Sequence, residues 1–482
     1  MTNKVNSKVV NATKWSAITE VASKLVTPIS TMVLARLLTP EAFGVLVTAT
    51  MVISFAEIFT DAGFQKYIIQ HDFKDNDSLY KSTAVSFWSN LFFSLIVWAG
   101  ICIFSPQIAH LVGNDGYGLV IAVSCVCIPL AAFSSIQMAL LKRNLDFKAL
   151  FFIRIIGIMI PLIITIPLAF ITRSYWSLII GMITLNACNA IILTWKSNWK
   201  PKWFYDIQLF KEMFSFTMWS MIESVTIWLT GYLDIFIIGS VLSTYYMGIY
   251  RTSITTVGQI MNIVTAATTP VLFSALSKLQ NDNVEFKRLF FKFQKIVGII
   301  IIPMGVGIYL FKDFITDLFL GEQWKEASYM IGWWGLTSAI TIVLSHYCSE
   351  VYRAKGKPKY SVLSQVLHLC FLIPTVLISI RYGFQTLCLC RALIRFSGIA
   401  INLALIYILT RITPLDVVRN IYESCIASLV MMLIFYLLPH DENTLIQFGC
   451  IFICVISYML IICIRKENRA ILKNITTLIK NK

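Results

Sequence analysis

Charged residues are scarce in this sequence. Asp, Glu, Lys and Arg together make up 13% of its 482 residues, hydrophobic residues make up 57%, and the mean hydropathy is +0.74. A soluble domain of this size carries roughly 25% charged residues. The scarcity of charge therefore excludes an ordinary soluble enzyme or binding module, and it indicates that lipid surrounds most of the chain.

The sequence also lacks the residue patterns of catalysis and of nucleotide or metal binding. It contains only five histidines, and it has no Walker motif, no metal-ligand spacing and no nucleophile elbow. The twelve cysteines all fall inside apolar runs, where they are expected to pack as small apolar residues rather than form disulfides. We therefore expect no enzyme activity, no cofactor and no bound metal.

Long apolar runs predict an all-α membrane protein with about fourteen transmembrane helices. A membrane-spanning helix needs roughly 20 mostly apolar residues. The runs of the first half lie near residues 13–38, 43–64, 84–105, 118–141, 149–171, 174–195 and 211–240. Those of the second half lie near 247–275, 289–312, 327–351, 359–380, 383–409, 416–438 and 444–464. The loops between them are too short to hold a separate domain.

The basic residues alternate between the two ends of the predicted helices. If the N-terminus is cytoplasmic, thirty of the forty Lys and Arg residues fall in inner segments and five in outer loops. Membrane proteins collect positive residues on the cytoplasmic side. The net charge of +15 is therefore attributed to orientation rather than to nucleic-acid binding, and both termini are predicted to be cytoplasmic. The tail at 465–482 has an amphipathic pattern and is expected to lie along the cytoplasmic leaflet.

Short segments of the first half recur in the second half. Residues 38–44 correspond to 242–248 at an offset of 204, and the outer loop at 104–113 resembles that at 311–321. Basic loops at 142–148 and 353–359 also correspond. Six helices per copy give both copies the same orientation, so an axis along the membrane normal and a central cavity are predicted. The expected lobes are 1–200 and 201–412, and 413–482 holds two extra helices and the tail.

These motifs resemble the polysaccharide flippases of the Wzx type, which belong to the MOP superfamily. The resemblance rests on LARLLTPEAFG at 34–44, FTDAGF at 59–64, YLDIFIIG at 232–239, MGIY at 247–250 and GEQW at 321–324. It covers predicted helices 1 to 12. It implies two pseudo-symmetric six-helix lobes and an alternating-access cavity in the inner (cytoplasmic) membrane. It also groups the chain with lipid II flippases and cation-exporting multidrug transporters.

The resemblance further implies a substrate and partners. The substrate would be an oligosaccharide on undecaprenyl diphosphate, moved from the cytoplasmic to the outer leaflet with coupling to an ion. Membrane lipids surround the protein, and the polysaccharide polymerase and chain-length machinery are the expected protein partners. Nucleic acid is not an expected partner.

Ten ionisable residues lie inside the predicted helices. Each would cost about 2.5–3.5 kcal/mol at the bilayer centre if it faced lipid. They must therefore line a cavity, pair with one another or lie near a helix end. The ten are Glu20, Lys24, Glu57, Asp61, Arg154, Glu223, Asp234, Arg251, Arg391 and Arg395.

The cations among them are candidate substrate ligands. Arg391 and Arg395 are four residues apart and share a helix face, where an anion such as a diphosphate would relieve their repulsion. Lys24 is a third central cation, for which pairing with Glu20 one turn away is the alternative. The remaining substrate candidates are Arg251 and Arg154.

The acids are candidate coupling residues. Glu223 lies near the middle of its predicted helix, where a carboxylate could exchange a proton or bind a cation. The other coupling candidates are Asp234, Glu57 and Asp61. Asp234 and Arg251 lie on consecutive helices, and a structural ion pair between them is the alternative to a role in the cavity.

Two other functions remain open within the membrane class. A drug/cation antiporter would favour acids in its cavity, whereas the most central charges here are Lys24, Arg391 and Arg395 against the single acid Glu223. This balance favours an anionic substrate, and a lipid II flippase is the alternative within the superfamily. A membrane polysaccharide polymerase or ligase is the alternative of another class. By analogy such enzymes carry a sizeable external loop, and the loops here are too small.

Overall fold

The computed structural model describes residues 23–470, apart from 25, 62, 145, 358 and 440–443. Glu20 and most of the predicted amphipathic tail therefore lie outside the described residues. The side chains of some helical residues, Glu223 among them, lie outside as well. All regular secondary structure in the described part of the chain is helical, which confirms the all-α prediction.

The chain divides into two compact units, Met1–Arg251 and Thr252–Lys482. The helices that begin in the first unit are α1 (Val26–Leu37), α2 (Pro40–Asp61), α3 (Phe64–Gln70), α4 (Asn76–Ile103), α5 (Ser105–Leu111), α6 (Gly118–Ser124), α7 (Cys127–Arg143), α8 (Phe147–Ile160), α9 (Ile166–Thr172), α10 (Trp176–Lys196), α11 (Ile207–Val241) and α12 (Thr244–Lys278). A π-helical turn, Pro161–Thr165, joins α8 to α9.

The remaining helices lie in the second unit. They are α13 (Asn283–Leu310), α14 (Lys312–Phe319), α15 (Ala327–Thr341), α16 (Cys348–Ala354), α17 (Lys359–Ser379), α18 (Phe384–Leu393), α19 (Arg395–Thr410), α20 (Pro414–Arg419), α21 (Tyr422–Leu437) and α22 (Thr444–Ile462). A π-helical turn at Ile342–His346 follows α15, and 3₁₀ turns occur at Glu322–Trp324 and Ile380–Tyr382.

Eleven spans in the described part of the chain are long and apolar enough to cross a membrane. The number is twelve if the two bent halves of α12 count as one span, and α1 and α21 are shorter apolar helices. The protein is thus a multi-pass membrane protein. The exact count of fourteen and the lobe boundary at 200–201, which falls inside the first compact unit, stay predictions.

Each unit has its own packed core. In the first unit, helices α3, α4 and α7 bury large side chains such as Phe64, Phe87 and Ile136 together. In the second unit, α21 and α22 pack on α13, and the hydroxyl group of Tyr458 donates to the carbonyl oxygen of Ile299 at 2.8 Å. Helices α21 and α22 are therefore integral parts of the second unit.

The side chain of Arg143 hydrogen-bonds backbone carbonyl groups at one end of the first unit. Arg143, the last residue of α7, donates to the carbonyl oxygens of Ile68 at 2.7 Å and His71 at 2.8 Å. Its guanidinium group also lies 4.8 Å from the centre of the Phe73 ring. These carbonyl groups lie at the C-terminal end of α3. The last carbonyl groups of a helix have no N–H partner within the helix, and here Arg143 supplies the donors.

A matching contact occurs in the second unit. Lys355, just after α16, donates to the carbonyl oxygen of Gln280 at 2.6 Å, and its ammonium group lies 4.4 Å from the centre of the Phe286 ring. Lys355 lies 212 residues after Arg143, and Gln280 lies 212 residues after Ile68. The donor and the acceptor of the two contacts therefore correspond at the same offset. This common offset is close to that of the predicted sequence repeat.

Candidate functional site

The two central arginines lie in one membrane span, on either side of Ile394. Gly383 adopts φ 93°, a left-handed conformation that favours glycine, and α18 begins directly after it. Ile394, between α18 and α19, keeps right-handed helical dihedral angles, and its N–H group donates to the carbonyl oxygen of Cys390, so the span continues through it. Arg391 occupies the last turn of α18 and is buried, with 8% of its surface exposed, and Arg395 begins α19.

Both arginines lie against one tryptophan ring. The Cζ atom of Arg391 is 5.2 Å from the centre of the Trp334 ring on α15, and that of Arg395 is 4.1 Å away. Arg395 also donates to the hydroxyl oxygen of Ser338, one turn along α15, at 2.6 Å. A cation over an aromatic face is attracted by the ring quadrupole, so Trp334 offsets part of the repulsion between the two guanidinium groups.

A histidine completes the polar surroundings of this site. His368 on α17 lies within range of electrostatic interaction with both Arg391 and Arg395. Its Nδ1 atom is 3.2 Å from the hydroxyl oxygen of Ser397 on α19. No pattern in the sequence alone marks Trp334, Ser338 or His368 as part of this site. The two guanidinium groups and these polar side chains lie together inside apolar helices. Such a site can bind an anion.

A pair of acids lies in the first unit. Glu57 and Asp61 are one turn apart on α2, and both are half-buried. Gln65 hydrogen-bonds the Asp61 carboxylate, and the positive charges of Lys66 and Lys142 act on it. The other carboxylate oxygen of Asp61, Oδ1, is buried without a hydrogen-bond partner among the described residues. A buried carboxylate oxygen without a partner is costly, so a proton or a cation there would stabilise the site.

Asp234 and Arg251 each contact a tyrosine. The buried carboxylate of Asp234 accepts a hydrogen bond from the hydroxyl group of Tyr250 at 2.6 Å. The guanidinium group of Arg251 lies 5.1 Å from the centre of the Tyr232 ring. Tyr250 is therefore a partner of Asp234 that was not predicted from the sequence.

An aromatic row continues from Tyr232 within the first unit. Trp228 stacks on Tyr232 with 5.5 Å between ring centres, and it contacts the exposed ring of Phe55 at 4.7 Å. The indole N–H of Trp228 donates to the hydroxyl oxygen of Ser54 at 3.0 Å. The row ends at the guanidinium group of Arg251. Because lipid solvates a charge poorly, this group is expected to face the protein interior or a cavity.

The positions of the remaining predicted residues do not assign them a role. Lys24 is half-buried next to α1, and Arg154 is exposed on α8. Glu20 and the side chain of Glu223 lie outside the described residues, so the predicted Glu20–Lys24 pair and the coupling role of Glu223 stay predictions. Of the predicted site residues, the structure brings together Arg391 with Arg395 and Glu57 with Asp61.

Two curated relatives and one solved structure resemble the chain over most of its length. The succinoglycan biosynthesis transport protein ExoT of Rhizobium meliloti (strain 1021) is 21% identical over 70% of this chain and 68% of its own. The lipopolysaccharide biosynthesis protein WzxC of Escherichia coli (strain K12) is 22% identical over 67% of this chain and 65% of its own. The lipid II flippase MurJ in an inward closed conformation superposes with a TM-score of 0.75 at 15% identity, covering 92% of this chain and 97% of its own.

The structural likeness shows that the chain has the fold of that flippase. The resemblance to Wzx-type polysaccharide flippases that the sequence motifs indicated is confirmed by these relatives. A family model described as polysaccharide biosynthesis protein matches residues 33–329, which is more than half of the sequence. The chain therefore belongs to the polysaccharide biosynthesis protein family.

Proposed function

We propose that this protein moves an oligosaccharide linked to undecaprenyl diphosphate from the cytoplasmic to the outer leaflet of the inner membrane. The observation that carries the proposal is the positive site formed by Arg391 and Arg395 against Trp334, inside an apolar span of a polysaccharide biosynthesis protein. A diphosphate is the part of such a substrate that apolar surroundings would exclude most strongly. Guanidinium groups can bind its oxygens in a bidentate way.

The sugar would need a surface of a different kind. We infer that the row of Phe55, Trp228 and Tyr232 offers ring faces to it, because sugars present apolar C–H faces as well as hydroxyl groups. Arg251 at the end of the row supplies a further cation. Lys24 and Arg154 are secondary candidates for contacts to the phosphate groups as the substrate enters.

Coupling to an ion is assigned to the acids. Glu57 and Asp61 are the best supported pair, because Asp61 has a buried carboxylate oxygen without a partner among the described residues. Glu223 and Asp234 remain further candidates, although the hydroxyl group of Tyr250 already contacts the Asp234 carboxylate. Binding of a proton or cation by these acids would change the charge of the first unit during each cycle.

The orientation and the lobes belong to the same proposal. The distribution of Lys and Arg supports cytoplasmic termini. The common offset of the Arg143 and Lys355 contacts supports two repeated six-helix lobes. A drug/cation antiporter is disfavoured by the positive character of the Arg391–Arg395 site. The polymerase and chain-length machinery would act on the oligosaccharide after it reaches the outer leaflet.

Deletion of the gene tests this function in the native cell. We expect surface polysaccharide to be lost and undecaprenyl-diphosphate-linked oligosaccharide to accumulate in the inner membrane, because synthesis continues on the cytoplasmic side without transport. Quantitative lipid extraction and immunoblotting of surface polysaccharide measure the two pools, and the parent gene on a plasmid is the control. Unchanged pools in the deletion strain would contradict the proposal.

A further inference from the structure

The loop between α10 and α11, residues 197–206, is held against the first unit by its own side chains. Trp199 is buried in the core of that unit, and its ring centre lies 5.4 Å from that of Phe87 on α4. The hydroxyl group of Ser89, also on α4, donates to the hydroxyl oxygen of Tyr205 at 3.2 Å. The α10–α11 loop therefore has a defined position along α4.

The other side of this loop exposes aromatic rings. Trp203 is 81% exposed, although its ring centre lies 4.9 Å from that of Trp88 on α4. The indole N–H of Trp88 donates to the carbonyl oxygen of Lys202 at 3.0 Å, which fixes the backbone next to Trp203. Trp195, in the last turn of α10, is 77% exposed. Exposed indole rings suit the boundary between lipid headgroups and acyl chains, where one end is apolar and the other is wet.

An apolar strip on α4 continues from this loop along a membrane span. Helix α4 is one of the spans long and apolar enough to cross a membrane. Trp88, Phe92 and Ile96 follow one another at intervals of four residues, so they share one face of the helix. Phe92 and Ile96 are both exposed. The strip offers a surface along which an acyl chain can lie.

Three exposed lysines accompany the exposed tryptophans. Lys196 is the last residue of α10, and Lys200 donates to two carbonyl oxygens in the last turn of the same helix. Lys202 lies within the loop. None of the three has an acidic side chain within 4 Å in the part of the chain that the structure describes. The acid of the loop, Asp206, instead accepts from backbone N–H groups in the first turn of α11.

We propose that this surface binds an anionic phospholipid, with its phosphate group against Lys196, Lys200 and Lys202 and an acyl chain along Phe92 and Ile96. The basic-residue pattern predicts that the loop lies on the cytoplasmic side, where the leaflet carries anionic headgroups. The positive charge selects an anionic over a zwitterionic lipid. The exposed rings and the apolar strip select a lipid over a soluble phosphate. The ligand is a membrane lipid, so the inference goes beyond the proposed function and does not depend on it.

Native mass spectrometry of the purified full-length protein in detergent measures this binding. Phosphatidylglycerol and phosphatidylcholine with the same acyl chains are titrated separately, so that only the headgroup differs. With about a fivefold contribution from each lysine, we expect the first phosphatidylglycerol to bind roughly a hundredfold more tightly than phosphatidylcholine.

Lysine substitutions at the loop are expected to weaken only the anionic lipid. Lys202→Gln should lower the affinity for phosphatidylglycerol by about fivefold, and Lys196→Gln combined with Lys202→Gln by roughly twenty-fivefold. Lys200 is left in place because it also donates to the backbone of α10. Unchanged binding of phosphatidylcholine by these variants reports that they are folded.

Two further variants separate the parts of the surface. Lys357→Gln combined with Lys359→Gln removes two exposed lysines from a loop without tryptophan, and it should bind phosphatidylglycerol as the parent does. Trp203→Ala should weaken both lipids by roughly the same factor of five, because the indole ring contacts the part that the two lipids share.

Equal affinity of the parent and the Lys196→Gln, Lys202→Gln variant for phosphatidylglycerol would overturn the proposal. An equal loss in the Lys357→Gln, Lys359→Gln control would overturn it as well, because lysines anywhere on the protein would then contribute alike. Displacement of phosphatidylglycerol by inorganic diphosphate would assign the lysines to phosphate groups without a lipid, which also contradicts it. Since no transport is measured, these outcomes are distinct from a failure of the flippase function.

Discussion

Arg391→Ala and Arg395→Ala are each expected to lower surface polysaccharide to less than about a tenth of the parent value at normal protein levels. Losing a charge-assisted contact to a diphosphate in a desolvated site costs roughly 2–5 kcal/mol, and each 1.4 kcal/mol is a factor of ten. The loss of either guanidinium group also leaves a single cation over the Trp334 ring. Immunoblotting of surface polysaccharide and of the protein in membranes measures the effect.

Lysine substitutions separate charge from geometry. Arg391→Lys and Arg395→Lys keep the charge but lose the planar fork, and we expect polysaccharide levels between those of the parent and the alanine variants. Arg381→Ala is the matched control, because this arginine is exposed in the turn just before α18. Export at the parent's level by both alanine variants would show that the pair is structural and that the diphosphate binds elsewhere.

Glu57→Gln and Asp61→Asn are expected to uncouple transport from the proton gradient. In the parent, collapse of the gradient with an uncoupler should lower transport, whereas each amide variant should transport slowly and respond little to the uncoupler. The reason is that an amide cannot take up and release the proton that the buried Asp61 oxygen is placed to hold. Transport in inverted membrane vesicles, with and without the uncoupler, measures the response.

Glu41→Gln is the control for this pair. Glu41 lies in the first turn of the same helix and is exposed, so its amide variant should behave like the parent. A full response to the uncoupler in both Glu57→Gln and Asp61→Asn would remove these acids from the coupling mechanism. The predicted role of Glu223 would then be tested by Glu223→Gln in the same way.

The sequence predicted the class of fold because the bilayer restricts what can cross it. Backbone polar groups have no water partners in lipid, so long apolar runs must form helices, and their lengths can be read directly. The same restriction makes charges inside spans conspicuous, which is why Arg391, Arg395, Glu57 and Asp61 could be identified as candidates.

The partners of these charges could not be predicted. Trp334, Ser338 and His368 lie on other helices than the arginines they surround, and aromatic and hydroxyl side chains are ordinary in membrane helices. The contact of Asp234 with Tyr250 was missed for the same reason.

Flipping of a defined substrate by the purified protein tests the central claim most directly. Proteoliposomes would carry undecaprenyl-diphosphate-linked oligosaccharide labelled on its sugar, and an impermeant glycosidase added outside would report the fraction in the outer leaflet. We predict that the protein raises the rate at which inner-leaflet substrate becomes accessible, and that Arg391→Ala combined with Arg395→Ala abolishes this increase. A rate equal to that of protein-free vesicles would contradict the account.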